Sequence, residues 1–137
     1  MGAFKETSLK RFIAPAMLRE IGQDAFLNCK QLVSVELNEG LEVLGTATCP
    51  DGDQYYGIFA NSSVSSVVLP STLKQLGYGT FESCKMLKNI ELPARLEVIS
   101  CRCFSVSGLE KIDIPGSVRE IKEYAFMYCD RMKEVTF

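Results

Sequence analysis

The sequence predicts a solenoid of the α/β class, in which about six coils of 22–23 residues stack and their short strands form a parallel β-sheet. Three observations support this: an internal repeat, a fixed apolar pattern within each copy, and one long spacing that locates an insert. The stretch AFLNCKQLVSVELNEGLEVLG, from Ala25 to Gly45, returns from Thr80 as TFESCKMLKNIELPARLEVIS. Self-similarity at such a period is typical of stacked repeats, because one unit cannot bury its apolar face alone.

Phenylalanine marks the start of each copy. It occurs at positions 4, 26, 59, 81, 104 and 126, in steps of 22, 33, 22, 23 and 22 residues. Five or six residues later comes an L-x-x-I-x-L pattern, as in LVSVEL, LKNIEL and LEKIDI. Short runs of this kind favour a strand. Proline, which stops a strand, follows in four copies, at Pro15, Pro70, Pro93 and Pro115.

The rest of each copy predicts the return path of the coil. A second apolar pair, such as Leu41 and Leu44 or Leu96 and Ile99, predicts another extended or turn segment. The A-F-x-x-C segment predicts a short helical or 3-10 corner, since Ala, Phe and Cys can all point inward there. Copies in which Phe and the next apolar position are six positions apart carry Cys in that segment, and those in which they are five apart carry Ser or Thr.

Composition excludes several classes of function. The net charge of −2 over 137 residues argues against a general nucleic-acid-binding protein and against electrostatic docking on an anionic membrane. The apolar runs are too short for membrane insertion. Histidine is absent, which removes the usual nucleophile–histidine machinery and the commonest zinc ligand. We therefore expect no enzyme, no catalytic residues, no cofactor and no metal site.

The six cysteines are interpreted mainly as core residues. Cys29, Cys84 and Cys129 share one repeat position, where a buried thiol packs as a small apolar side chain. Cys103 stands where other copies have Ala, directly before Phe104, and is assigned to the core as well. Cys49 lies in the insert and is expected to be the most exposed thiol; the alternative is a disulfide from Cys49 to another cysteine.

The repeat resembles that of the BspA-like, or treponemal-type, leucine-rich repeats, whose pattern is A-F-x-x-C-x-x-L-x-x-I-x-L-P-x-x-L-x-x-I. TFESCKMLKNIELPARLEVIS and AFMYCDRMKEVTF carry the resemblance best, and it covers residues 3–137 apart from the insert. It implies a right-handed, curved leucine-rich-repeat solenoid and a non-catalytic protein-binding module. It also implies a segment of a cell-surface or secreted adhesin of a host-associated microbe, with a protein partner such as a host matrix protein.

Two departures from the family pattern keep alternatives open. The stretch MGAFKETSLKRF lacks the apolar run of a signal peptide, so the alternative is an intracellular scaffold or effector domain that binds a cytosolic protein. No polar cap is recognisable at either end, and solenoids need such caps. We therefore expect residues 1–137 to form a single leucine-rich-repeat domain that is a fragment of a longer chain or associates with itself end to end.

Outward-facing strand positions are the first candidates for partner binding. The third and fifth positions of each L-x-x-I-x-L strand should face away from the core. The fifth positions include Ile13, Glu36, Val68, Glu91 and Asp113, a mostly acidic column interrupted by apolar residues. We consider this column a recognition surface for a polar or basic protein segment; the alternative is a solvated sheet face with single exposed apolar residues.

The insert supplies the remaining candidates. The step from Phe26 to Phe59 is about ten residues too long, and the excess lies at about residues 46–57. Long loops on a rigid scaffold often carry function, and tyrosines often anchor interfaces, so Asp53, Tyr55 and Tyr56 are candidate contact residues. The alternative is a flap packed on the coils. Asp51 and Asp53 alone do not predict calcium binding, because the closing bidentate Glu is missing.

Overall fold

A computed structural model describes residues 2–51 and 56–137. They form nine short strands, all of them paired in parallel. The strands are β1 Arg11–Ile13, β2 Ser34–Glu36, β3 Val43–Leu44, β4 Ser66–Val68, β5 Gln75–Leu76, β6 Val98–Ile99, β7 Lys111–Asp113, β8 Glu120–Ile121 and β9 Glu134–Thr136. Asp53 and Tyr55 lie outside the described residues.

The strands of the L-x-x-I-x-L pattern form the front of the solenoid. They make one sheet in the order β1-β2-β4 and a second in the order β7-β9. Equivalent repeat positions lie opposite each other: Ser34 of β2 faces Arg11 on one side and Ser66 on the other. The second apolar pair supplies the back of the solenoid, a sheet in the order β3-β5-β6-β8. Both extended segments of the predicted coil are thus present.

The front sheet is interrupted where the repeat pattern is best preserved. LKNIEL at residues 87–92 predicts a strand, but the structure has none there, so this prediction is wrong. Among the described residues, the backbone of 88–92 makes one hydrogen bond to a neighbouring coil, from Glu110 N–H to Lys88 O at 3.0 Å. Asn89 contributes to the interruption, because asparagine is depleted in strands while the equivalent β4 and β7 positions hold Ser66 and Lys111.

A ladder of stacked phenylalanine rings forms the centre of the core. From Phe4 to Phe126, successive rings lie 5.2–5.6 Å apart with interplanar angles of 9–17°. The rings of Phe26, Phe59, Phe81 and Phe104 are fully buried. Offset stacking of this kind contributes about 0.5–1.5 kcal/mol per pair beyond burial. We name each coil after its phenylalanine.

The corners around each phenylalanine are successive β-turns. In the Phe26 coil the N–H groups of Ala25, Leu27 and Cys29 each donate to the carbonyl three residues before. The residue two positions after each Phe has a φ of 56–60°, including Asn28, Asn61 and even the β-branched Val106. Since the described residues contain no helix, the helical or 3-10 form expected for these corners is not confirmed.

The repeated cysteines have a hydrogen-bonding role that explains the alternation of Cys with Ser or Thr. The Cys84 thiol donates to the Phe59 carbonyl at 3.2 Å, and Ser62 Oγ lies 3.6 Å from the same sulfur. Cys29 and Cys129 make the same contacts with the coils before them. Each Cys coil therefore stacks on a Ser or Thr coil. Burial raises the pKa of Cys84 to about 12 and raises the pKa of Cys103 as well.

A disulfide between Cys49 and Cys101 ties the insert to the scaffold. Cys49 is exposed, as expected, but it is not a free thiol, and the alternative of a disulfide holds. The two cysteines are 52 residues apart, yet their Cα atoms lie 5.8 Å apart, because residues 46–49 run along the edge of the solenoid. On that edge Tyr78 N–H donates to Thr46 O and Lys122 Nζ donates to Ala47 O. The first part of the insert is thus a flap across several coils.

Glycine at position 108 permits the tight approach of two coils, and its replacement should be costly. A Cβ on Gly108 would collide with the backbone carbonyl of Lys85, whereas a Cβ on Gly116 would meet nothing within 4 Å. We expect Gly108→Ala to lower the free energy of unfolding by about 3 kcal/mol or more, as forced overpacking does. Gly116→Ala should leave it unchanged or raise it slightly. Urea denaturation measures both, and equal stability of the two variants would contradict the coil stacking.

The number of free thiols can be measured directly by alkylation. Denatured but unreduced protein should take up four equivalents of iodoacetamide, one for each free cysteine among Cys29, Cys84, Cys103 and Cys129. In the native protein at pH 8, Cys84 and Cys103 should not react, because burial keeps both thiols protonated. Mass spectrometry distinguishes these counts, and six labels without reductant would contradict the disulfide.

Cys49→Ser should yield five labels and lower the free energy of unfolding by roughly 4 kcal/mol, the loop-closure value for this separation.

Candidate functional site

The front of the solenoid presents a regular column of exposed side chains. Ile13, Glu36 and Val68 lie opposite one another on β1, β2 and β4. Neighbouring parallel strands are about 4.8 Å apart, so these side chains form a continuous row. Ile13 is 53% exposed and Val68 54% exposed, while the residue between them is a carboxylate. The row therefore alternates apolar and acidic groups on a rigid sheet.

The interruption in the front sheet separates the acidic residues of the column. Glu36 lies before it, Glu91 lies within it and Asp113 lies after it. Glu91 is exposed but belongs to no strand, because it falls in the segment that lacks ladder hydrogen bonds. Asp113 lies on β7, where it is exposed and its carboxylate accepts a hydrogen bond from the hydroxyl of Thr136 in the next strand. The structure thus places all five predicted residues on the solvent side, three of them on the first front sheet, Asp113 on the second, and Glu91 in the gap between the sheets.

The column next to this row has a mixed polar character. Its strand residues are Arg11, Ser34, Ser66, Lys111 and Glu134. One stripe of the front face is therefore acidic and apolar, and the parallel stripe is polar with charges of both signs. Val33, 47% exposed just before β2, adds an apolar group to this face. The repeat pattern did not single it out, because strict inward–outward alternation holds only within the strand itself.

A crevice opens on the front face where the sheet is interrupted. It has a volume of about 450 Å³ and is lined by residues of the Phe26, Phe59 and Phe81 coils, among them Glu39, Val68, Leu69, Glu91 and Leu92. Two of the predicted contact residues, Val68 and Glu91, thus share one concave feature. Sequence reasoning missed Glu39, because it follows the strand in a turn that the repeat pattern leaves free.

Tyr56, the described candidate from the insert, lies at the corners of the coils and not at the crevice. Its ring is 48% exposed, and with Lys5, Asn61 and Glu82 it lines a separate cavity of about 520 Å³. The backbone N–H of Tyr56 donates to the carboxylate of Asp24, whose pKa is raised mainly by burial. The structure therefore does not bring Tyr56 together with the sheet candidates, and it offers two separate surfaces for contact.

The chemistry available at these surfaces is that of recognition. Within residues 2–51 and 56–137 no three side chains among His, Cys, Asp and Glu come together in a way that could hold a metal ion. The same ranges contain no helix capable of crossing a membrane. What the front face provides is exposed apolar groups, exposed carboxylates and a fixed spacing between them.

Comparison with known proteins identifies the family of this chain. Residues 1–48 and 55–137 match the model of the BspA-type leucine-rich repeat region, in six copies. A search of curated protein sequences found no significant match.

Solved structures show the same fold. A leucine-rich repeat protein from T. pallidum is 26% identical, with a TM-score of 0.80 over 92% of this chain and 57% of that one. A leucine-rich cell surface protein from Faecalibacterium prausnitzii is also 26% identical, with a TM-score of 0.82 over 95% of this chain and 32% of its own. A leucine-rich repeat protein from Bacteroides ovatus, 23% identical, shares the fold with a TM-score of 0.79 over 93% of this chain and 33% of its own.

The chain thus spans a little over half of the T. pallidum structure and about a third of the other two. The family model covers nearly all of the chain, the phenylalanine ladder supplies its repeat, and the paired strands supply its parallel sheets. The chain belongs to the BspA-type leucine-rich repeat family, whose repeats form a scaffold that generally binds proteins and carries no catalytic site.

Proposed function

We propose that this chain is a non-catalytic protein-binding module within a cell-surface or secreted adhesin of a host-associated microbe. The observation that carries the proposal is the exposed row of Ile13, Glu36 and Val68, continued by Glu91 and Asp113. Two exposed aliphatic side chains held in register with carboxylates offer a partner protein both apolar and charged contacts. A host matrix protein is the partner class that fits this location.

An open row of carboxylates favours binding over catalysis. Glu36 and Glu91 belong to coils two steps apart, about 10 Å at the usual strand spacing, and both are exposed to water. Acid–base chemistry needs groups held together and sheltered from solvent, which shifts their pKa values. The front face instead offers many weak contacts at fixed spacing, and these add up only across an extended partner surface.

The disulfide supports an extracellular location. Disulfides such as Cys49–Cys101 form and persist in oxidising compartments and are rare in the cytosol. A structural relative from Faecalibacterium prausnitzii is described as a cell surface protein. Together these favour the adhesin over the intracellular scaffold or effector domain.

The insert provides the second set of candidate contact residues, Asp53, Tyr55 and Tyr56. Of these the structure describes Tyr56, which is half exposed at the corners of the coils. Residues 1–137 are proposed to form a single leucine-rich-repeat domain of a longer chain.

Self-association of the module end to end is the alternative to a longer chain whose further coils would cover these ends. Val135 in the last strand and Phe137 directly after it are exposed, the latter 90%, and the first coil exposes the ring of Phe4. A coil of a second copy placed against either end would continue both the ring ladder and the strand pairing. Sedimentation velocity should then show assembly that rises with concentration and is weakened by Phe137→Ser; a monomer at all concentrations would exclude it.

Partner capture tests the main proposal. Immobilised protein should retain a component of host extracellular matrix, and Val68→Lys should reduce retention about tenfold, because a charge replaces a buried apolar contact at the interface. Met86→Lys is the matched control: Met86 is 55% exposed, as Val68 is, but lies at a corner away from the front face. Retained proteins are identified by mass spectrometry.

The other outcomes of the capture experiment would contradict parts of the proposal. Capture of a cytosolic protein that depends on Val68 would establish the intracellular scaffold instead of the adhesin. Equal loss in both lysine variants would mean that the front face is not the contact surface. Failure of the folded wild-type protein to retain any matrix component would contradict the adhesin proposal.

A further inference from the structure

The crevice on the front face combines apolar walls with an acidic rim. Val68 and Leu69 contribute one wall from the Phe59 coil, and Leu92 and Pro93 contribute another from the Phe81 coil. Glu39 and Glu91 are the charged residues of the lining, and no lysine or arginine is among the described residues that line it. The crevice is therefore a negatively charged site with aliphatic sides.

The crevice lies where the strand ladder is absent. Elsewhere in the front sheets, strands of neighbouring coils are joined by backbone hydrogen bonds. Between residues 66–69 and 88–92 the described backbone makes none. The coils remain stacked, since Phe59 and Phe81 lie 5.5 Å apart and β5 pairs with β6 on the back. The opening is thus local and lies on the exposed side of a continuous core.

One of the two carboxylates is held in place before any partner arrives. Glu39 Oε1 accepts a hydrogen bond from Ser71 N–H at 2.9 Å, and its Oε2 accepts one from Ser71 Oγ at 2.8 Å. These bonds lower the pKa of Glu39, so the carboxylate is charged at neutral pH. Each oxygen still has a lone pair for a further donor. Glu91, exposed on the opposite coil, completes a pair of acceptors.

We propose that this crevice receives an arginine side chain from an extended segment of a protein partner. The inference rests on the proposed protein-binding function and names the chemistry of one contact within it. The aliphatic stem of arginine packs on walls like those of Val68 and Leu92, while its charged head stays near water. Its planar guanidinium has five N–H donors, enough to serve carboxylates on two sides, which a lysine ammonium cannot do with the same geometry.

An extended segment fits because of the surrounding face. Side chains of an extended strand alternate in direction, so one residue can enter the crevice while its neighbours lie outward or along the sheet. The exposed apolar row at Ile13 and Val68 lies beside the path of such a segment. The acidic column gives it a charge opposite to that of the incoming residue.

A peptide titration tests the proposal. The probe is a fluorescent peptide Gly-Ser-Val-Arg-Val-Ser-Gly, and the reference is the same peptide with citrulline, which keeps the shape of arginine without its charge. Added to ¹⁵N-labelled protein, the arginine peptide should shift the amide signals of Val68, Leu69 and Glu91 at millimolar concentrations. The citrulline peptide should bind about tenfold more weakly.

Matched variants locate the contact. Glu91→Gln should weaken arginine-peptide binding about fivefold, and Glu123→Gln, an exposed carboxylate at a corner outside the crevice lining, should leave it unchanged. Both side chains are on the surface, so the variants should fold, and their thermal melting checks this. Equal binding of the two peptides, shifts confined to other parts of the face, or no effect of Glu91→Gln would each overturn the arginine site. Capture of a matrix protein without arginine-peptide binding would leave the protein-binding function standing and remove only this inference.

Discussion

The stacking of equivalent residues from coil to coil is the constraint on which the structure depends. Rings such as Phe59 and Phe81 lie 5.5 Å apart, close to the spacing of neighbouring strands. The same shift from one coil to the next therefore stacks the core side chains and aligns the backbone hydrogen-bonding groups. Residues that are too large for this spacing, or that are inserted in addition to the repeat, must lie outside the stack. Residues 46–49 after β3 lie at the edge for that reason, and the Cys49–Cys101 disulfide holds them there.

The same shift organises the exposed surface. Because each fifth position lies directly beside the next, a change of residue type from coil to coil becomes a row of side chains at fixed spacing. Ile13, Glu36 and Val68 show this on paired strands. The core does not need the front ladder to be complete, since the ring ladder and the back sheet continue past the Phe81 coil. The front face can thus lose strand hydrogen bonds and gain a crevice without loss of the fold.

The corners show how little helix the fold requires. Successive β-turns, with a residue such as Asn28 or Ser83 at positive φ, give the phenylalanine N–H of each coil before the last a carbonyl partner in the next coil. The thiols of Cys29, Cys84 and Cys129 bond the carbonyl of the phenylalanine in the coil before. The cysteine column is therefore both a packing and a hydrogen-bonding element. Its partner is the Ser or Thr of the alternate coil, so the repeat works in pairs.

The sequence by itself determined the family, the parallel stacking, the inward and outward positions of each strand and the place of the insert. These follow from local periodicity, which a linear pattern records in full. Only the tertiary structure decided that Cys49 bonds Cys101, that residues 88–92 leave the ladder, and that Glu39 joins Val68 and Glu91 at one crevice. Each of these depends on how residues far apart in the chain meet across coils. A repeat pattern treats all coils as equal, whereas the differences between adjacent coils make the candidate site.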